Sequence, residues 1–186
     1  ERSRRAGTEN VAGIAELIWV GELGLFVAVG GANATEAEPA EIATSPDGLA
    51  WTKQAVPADS NYLLSVAWSP ELHMLVAGGG FGCMLTSTNG VEWTSRALLP
   101  GQDQNPITSI AWSRDKGQFF AQSLYVSTSP DGLTWTVHIR PGVKWQDGKD
   151  ITCADLKYGI TANLTADVTV RTDFAQVEVD EQQVNL

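Results

Sequence analysis

The sequence predicts a mostly β protein: three four-stranded propeller-like blades, forming a partial or oligomer-completed β-propeller, with a small C-terminal strand and helix appendage. Two observations predict it. Ser45-Pro46-Asp47-Gly48-Leu49-Ala50-Trp51-Thr52 returns as Ser87-Thr88-Asn89-Gly90-Val91-Glu92-Trp93-Thr94 and as Ser129-Pro130-Asp131-Gly132-Leu133-Thr134-Trp135-Thr136. Trp51, Trp93 and Trp135 are about 42 residues apart, a period that belongs to propeller blades of roughly 40–50 residues. A second landmark precedes each copy: Ile14–Trp19, then Ser65-Val66-Ala67-Trp68-Ser69, then Ser109-Ile110-Ala111-Trp112-Ser113. Six of the 7 tryptophans thus fall into two repeating classes.

Taken in chain order, residues 1–10 form an N-terminal stretch expected to be disordered. Arg2, Arg4 and Arg5 cluster there. The chain as given opens on Glu1 without a methionine or a signal peptide, the pattern expected of a processed, trimmed or incompletely recorded start. Blades are predicted over residues 11–57, 61–100 and 105–141. Each contains an apolar run between its landmarks: Leu25–Gly31, Met74–Gly79 and the more divergent Gln118–Ala121. In the middle unit the enrichment in β-branched and aromatic residues places strands near Leu64–Trp68, Met74–Gly78, Cys83–Ser87 and Glu92–Ala97. The connections between them, such as Gly78-Gly79-Gly80-Phe81-Gly82, have turn chemistry. Asp-Gly and Asn-Gly between strands predict a type I′ hairpin joining the third and fourth strands of each blade. A four-stranded sheet with two apolar faces buries them against neighbouring sheets around a central channel.

Residues 142–186 are read as the appendage, with a short helix near 152–163 and strands around Val168-Thr169-Val170 and Val177-Glu178-Val179. Thr152 followed by Asp155 resembles a capping box, with the carboxylate near the positive end of the helix dipole.

Composition narrows the function. A net charge of -10 argues against nucleic acid, which requires clustered Lys and Arg. No run approaches the roughly 20 apolar residues that cross a bilayer, so membrane insertion is not expected. Cys83 and Cys153 are far apart in the chain, and with only His73 and His138 besides they offer no zinc spacing. Their state, one disulfide or two buried thiols, stays open. Neither a metal nor a cofactor is expected. The sequence has no Gly-x-Ser-x-Gly elbow, phosphate loop or His-Glu-x-x-His, and nothing in its spacing singles out a carboxylate pair.

The Ser-x-Asp-Gly-x-x-Trp pattern resembles the Asp-box, or sialidase-type, repeat over about residues 11–137. The resemblance implies that Asp47 and Asp131, with Ser45, Ser129, Gly48 and Gly132 beside them, cap the turn between the third and fourth strands. It also implies that Trp51 and Trp135 pack between sheets. In the middle copy Ser87, Asn89, Gly90 and Trp93 take these positions, and Asn89 departs from the acid. Asp-box repeats occur in sialidases, lectin-like binders and assembly factors alike. A sialidase draws an arginine cluster and a tyrosine nucleophile from a full ring, whereas these repeats contain only Arg96 and Arg114 and three blades.

A further stretch, Asp131–Ile160, carries Arg140-Pro141-Gly142-Val143-Lys144, Asp147-Gly148 and Thr152-Cys153-Ala154-Asp155. It resembles the signature of the solute-binding proteins of peptide ABC transporters, which are two-lobed and far longer.

The function expected from these readings is a non-enzymatic binding or structural module of Asp-box blades. It would present loops to a glycan or protein partner, in an extracellular or secreted location or on a virion surface. The alternatives are a fragment of a sialidase-like glycan hydrolase and a fragment of a peptide-transporter solute-binding protein. Closed propellers have four to eight blades. Three therefore predict that self-association or a protein partner covers the open blade faces.

Overall fold

The computed structural model describes residues 13–31, 40–96 and 105–138. The expected disordered N-terminus, the appendage with its helix near 152–163, and Cys153 lie outside the described residues. Within them the chain forms three antiparallel four-stranded sheets, each a simple meander. Blade 1 is β1 (Ile14–Val20), β2 (Leu25–Gly30), β3 (Glu41–Ser45) and β4 (Thr52–Lys53). Blade 2 is β5 (Leu63–Ser69), β6 (Met74–Gly79), β7 (Met84–Ser87) and β8 (Thr94–Ser95). Blade 3 is β9 (Ser109–Ser113), β10 (Gln118–Gln122), β11 (Val126–Ser129) and β12 (Thr136–His138). The predicted class is thus the observed one, an open propeller-type stack.

The two apolar faces of each strand separate cleanly between the joints. Val27, Val29 and Ile42 of blade 1 pack with Val66, Leu75, Leu85 and Trp93 of blade 2. Val76 and Met84, on the other face of blade 2, pack with Ile107, Ile110, Phe119 and Trp135 of blade 3. Blade 2 is therefore buried on both sides. This is the alternation that the period of two in a strand demands when both faces meet apolar neighbours.

Two glycines explain why the apolar runs close on small residues. Ile14 pairs with Gly30 and Leu63 with Gly79, and in both blades the register then slips by one residue. A Cβ on Gly30 would run into the Gly13 carbonyl, and one on Gly79 into the Tyr62 carbonyl. Only glycine admits so close a backbone, the usual reason for a glycine beside a bulge. Just past each bulge stand Glu16 and Ser65, the residues that reach across to the next blade. Blade 3 has no such shift among its paired residues, and Ser123 stands where the glycine does in the others.

The third strands carry a second repeated tie. Gln54 Nε2 and Arg96 Nε donate to Thr44 Oγ1 and Thr86 Oγ1, each at 2.7 Å. His138 Nε2 and Thr128 Oγ1 lie 2.8 Å apart in the same relation. Three different side chains thus fasten the outermost strand, which is short: β4 and β8 have two residues each. Arg96 and His138, candidates for chemistry by residue type, are structural here.

Candidate functional site

The serine-aspartate turns are built alike in all three blades. At the end of β3, Ser45 Oγ accepts from the amides of Asp47 (3.3 Å) and Gly48 (2.8 Å) and donates to Asp47 Oδ1 at 3.1 Å. Asp47 Oδ1 in turn accepts from the amides of Leu49 and Ala50 at 2.8 and 2.9 Å. Ser87 and Asn89 repeat this network, with Asn89 Oδ1 accepting from Val91 and Glu92, both at 2.9 Å. Ser129 and Asp131 repeat it again, with Thr134 Oγ1 donating a further bond to Asp131 Oδ2 at 2.8 Å. The amide oxygen of Asn89 does what the carboxylates do because the turn needs an acceptor, not a charge.

These turns are not the two-residue type I′ hairpins that the Asp-Gly pairs predict. Positive φ occurs only at the glycines, Gly48 (74°), Gly90 (75°) and Gly132 (71°), and not at the residues before them. Side-chain capping of two amides downstream stretches the connection to Pro46–Trp51, so the pairing resumes only at Thr52. The Ala50 and Leu49 amides hold the Asp47 carboxyl below its ordinary range. Burial pushes Asp131 up, but the Thr134 and Leu133 amides with the Thr134 and Ser129 hydroxyls outweigh it, leaving that carboxyl low as well. Both carboxylates are thus consumed by their own loops.

The tryptophans that follow the turns differ in what covers them. Trp93 and Trp135 are 8% and 3% exposed, packed between blades. Trp51 is half-buried beside Phe26 on the outer face of blade 1. With Trp19, whose ring centroid lies 4.6 Å from that of Phe26, they form an aromatic triad. Trp112, Phe119 and Trp135 are the same triad in blade 3, with Trp112 and Phe119 at 4.7 Å. There the preceding blade covers it and Phe119 is fully buried, whereas Trp19 is 51% exposed. Leu17, also exposed, extends the open surface. At the other end of the stack Phe120 and Val126 occupy the positions of Val76 and Met84. Those two are buried, but Val126 is 47% exposed.

Polar ties cross both joints. Glu16 Oε2 accepts from Ser65 Oγ at 2.7 Å and from the Val66 amide at 2.6 Å, and Ser65 Oγ accepts from the Ile110 amide at 2.9 Å. On the outer rim, Trp68 Nε1 donates to Glu22 at 3.1 Å and Trp112 Nε1 donates to Glu71 at 2.8 Å. Arg114 adds a 2.9 Å ion pair to Glu71. The backbone amide of Glu71 does most to hold that carboxyl low; burial opposes it, and the Trp112 indole and Arg114 add to the lowering. Each acid stands three residues after its own blade's tryptophan, a spacing that Asp115 shares with Glu22 and Glu71.

Cys83 is a free, buried thiol that burial pushes up. An open groove of about 430 Å³ lies between residues 54–57 of blade 1 and Val91–Trp93 of blade 2. Among the described residues, no cluster of His, Cys, Asp and Glu could hold a metal ion. Among the same residues, no helix is long and apolar enough to cross a membrane.

Residues 114–185 match the family described as bacterial extracellular solute-binding proteins, family 5 middle. The match overlaps the stretch Asp131–Ile160 and begins inside blade 3. No curated protein matches the chain. Among solved structures, the WD40 β-propeller domain of Doa1 is similar at a TM-score of 0.47 and 14% identity, over 67% of this chain and 40% of that one. YCF48 bound to a D1 peptide is similar at a TM-score of 0.48 and 18% identity, over 61% of this chain and 36% of that one. The similar region spans well under half the length of either protein.

Proposed function

We propose that the chain is a non-enzymatic, protein-binding propeller module of the Asp-box type that docks through the open face of blade 1. The observation that carries this reading is the triad of Trp19, Phe26 and Trp51. The equivalent residues of blades 2 and 3 are the surface on which another β-sheet lies. An aromatic face shaped for burial, with Leu17 and Trp19 exposed beside it, is the composition of a protein interface centre. The likeness of residues 114–185 to a family described as extracellular supports a location outside the cytoplasm.

A photo-crosslinking residue at position 17, with a control at the exposed Thr94 on the outer strand of blade 2, tests the reading in producing cells and their medium. An adduct with another polypeptide chain, specific to position 17, supports it. Adducts confined to the same chain or to glycans, or equal yields at both positions, overturn it.

The match over residues 114–185 favours a second reading, that this region belongs to a peptide-binding solute receptor. Calorimetry with a mixture of short peptides decides between them. Saturable heat at micromolar peptide would replace the docking reading with that one, and no heat would remove it.

A further inference from the structure

The two ends of the stack are complementary in the way that its two internal joints are. At each joint the leading blade offers an aliphatic pair, Val27 and Ile42 or Val76 and Met84, together with an acid three residues after its tryptophan. The following blade offers an indole N–H, an apolar or aromatic residue on its second strand, and the glycine of its turn. The pairs Glu22 with Trp68 and Glu71 with Trp112 are the polar half of that pattern. The glycine is part of the fit. A Cβ on Gly90 would meet Val27 of blade 1 at 3.4 Å, and one on Gly132 would meet Met74 of blade 2 at 2.7 Å. Among the described residues a Cβ on Gly48 would meet only Phe26 of its own blade, so none of them fills the same space over blade 1.

Trp19 and Asp115 are the halves left over. Trp19 Nε1 and the Asp115 carboxylate have no hydrogen-bond partner among the described residues, and both residues are exposed. Phe120 and Val126 stand beside Asp115's blade face as the aliphatic pair does elsewhere.

We infer that blade 3 of a second copy of this chain docks on blade 1, head to tail. Asp115 of that copy accepts from Trp19 Nε1, and Phe120 and Val126 cover Phe26, Trp51 and Gly48. This rests on the docking reading above and names its partner. A heterologous contact of this kind closes into a ring when the rotation per unit allows. Two copies joined twice contain six blades, inside the four to eight of closed propellers. The two contacts are identical, so each copy uses both of its ends.

The test uses the full chain and two face-blocking variants, Trp19→Arg and Val126→Arg, both at exposed positions. Light scattering coupled to size exclusion over a range of concentrations should give a wild-type dimer and, for each variant alone, a species of one chain. Mixing the two variants should restore a one-contact dimer, because Trp19→Arg keeps its blade 3 end and Val126→Arg keeps its blade 1 face. Asp115→Ala, which leaves both apolar faces intact, should weaken dimerisation about tenfold per contact, the worth of a hydrogen bond to a charged acceptor. Circular dichroism confirms that each variant is folded. A wild-type species of one chain at every concentration, a mixture that fails to pair, or assemblies larger than two overturn the inference. A single-chain species that still crosslinks to a foreign polypeptide at position 17 removes the second copy and leaves the docking reading standing. One that crosslinks only within itself removes both.

Discussion

Glu16 bears more of the blade 1 to blade 2 joint than its single carboxylate suggests, and Glu16→Ala measures how much. Its Oε2 receives the Val66 amide at 2.6 Å and the Ser65 hydroxyl at 2.7 Å, and both donors belong to buried residues. Removing the acceptor leaves a buried backbone N–H unpaired, which costs about 1–3 kcal/mol, while the Ser65 hydroxyl can rotate and loses about 1 kcal/mol. The expected sum is about 3 kcal/mol. For a chain of this size, where each kcal/mol moves the midpoint by about 2–4 °C, the melting temperature should fall by about 6–12 °C. Glu16→Gln keeps one acceptor oxygen and should lose less than half as much. The assay is urea unfolding followed by tryptophan emission, with Ser65→Ala and the double variant completing a cycle. The two residues share a bond, so their effects should be non-additive by about 1 kcal/mol. A Glu16→Ala variant within about 0.5 kcal/mol of the parent would refute the argument. It would mean that apolar packing alone holds the blades and that water replaces the carboxylate.

The turn glycines should separate by what lies over them. Gly48→Ala and Gly132→Ala both place a side chain at positive φ, costing about 1–2 kcal/mol. Gly132→Ala also crowds Met74 and Val76 (2.7 and 3.1 Å from the new Cβ), so it should cost about 1–3 kcal/mol more by equilibrium unfolding. Equal losses would show that the joint is loosely packed there. Asp131→Asn should leave neutral stability nearly unchanged, as Asn89 does the same work in blade 2. It should also flatten the acid limb. A carboxyl held below its ordinary 3.8 stabilises the fold above that value and loses the contribution as pH falls through its lowered pKa. Parallel acid-unfolding curves for parent and variant would contradict the assignment.

Much of this architecture was legible because it repeats. The strands expected near Leu64–Trp68, Met74–Gly78 and Cys83–Ser87 differ from β5, β6 and β7 by one residue at any end. The fourth strand, expected near Glu92–Ala97, starts only at Thr94, because propensity does not register the turn that holds Glu92 and Trp93 out of the ladder. The type I′ expectation failed for a related reason. Asp-Gly tolerates that turn, but the serine two residues earlier offers the backbone a better-bonded alternative. The cross-blade ties were missed altogether. Whether Glu16 faces solvent or a neighbour depends on a bulge that no local pattern of polarity reveals. Glu22, Glu71 and Asp115, however, stand at one fixed distance from three landmark tryptophans, and that alignment would have exposed them as a fourth landmark. Gln54, Arg96 and His138 share a position but not a chemistry, so residue type alone concealed their common role.

The ties at the two joints start from the same offsets in each repeat, and this bears on how such a chain can change over generations. A joint made of residues found in every unit does not know which unit it belongs to. Duplicating or deleting one whole repeat would join an unaltered leading edge to an unaltered trailing edge, with no compensating substitution. Unequal crossing-over between such repeats therefore keeps both joints whenever it adds or removes one whole blade. The number of blades is the one property of the stack that no single blade encodes.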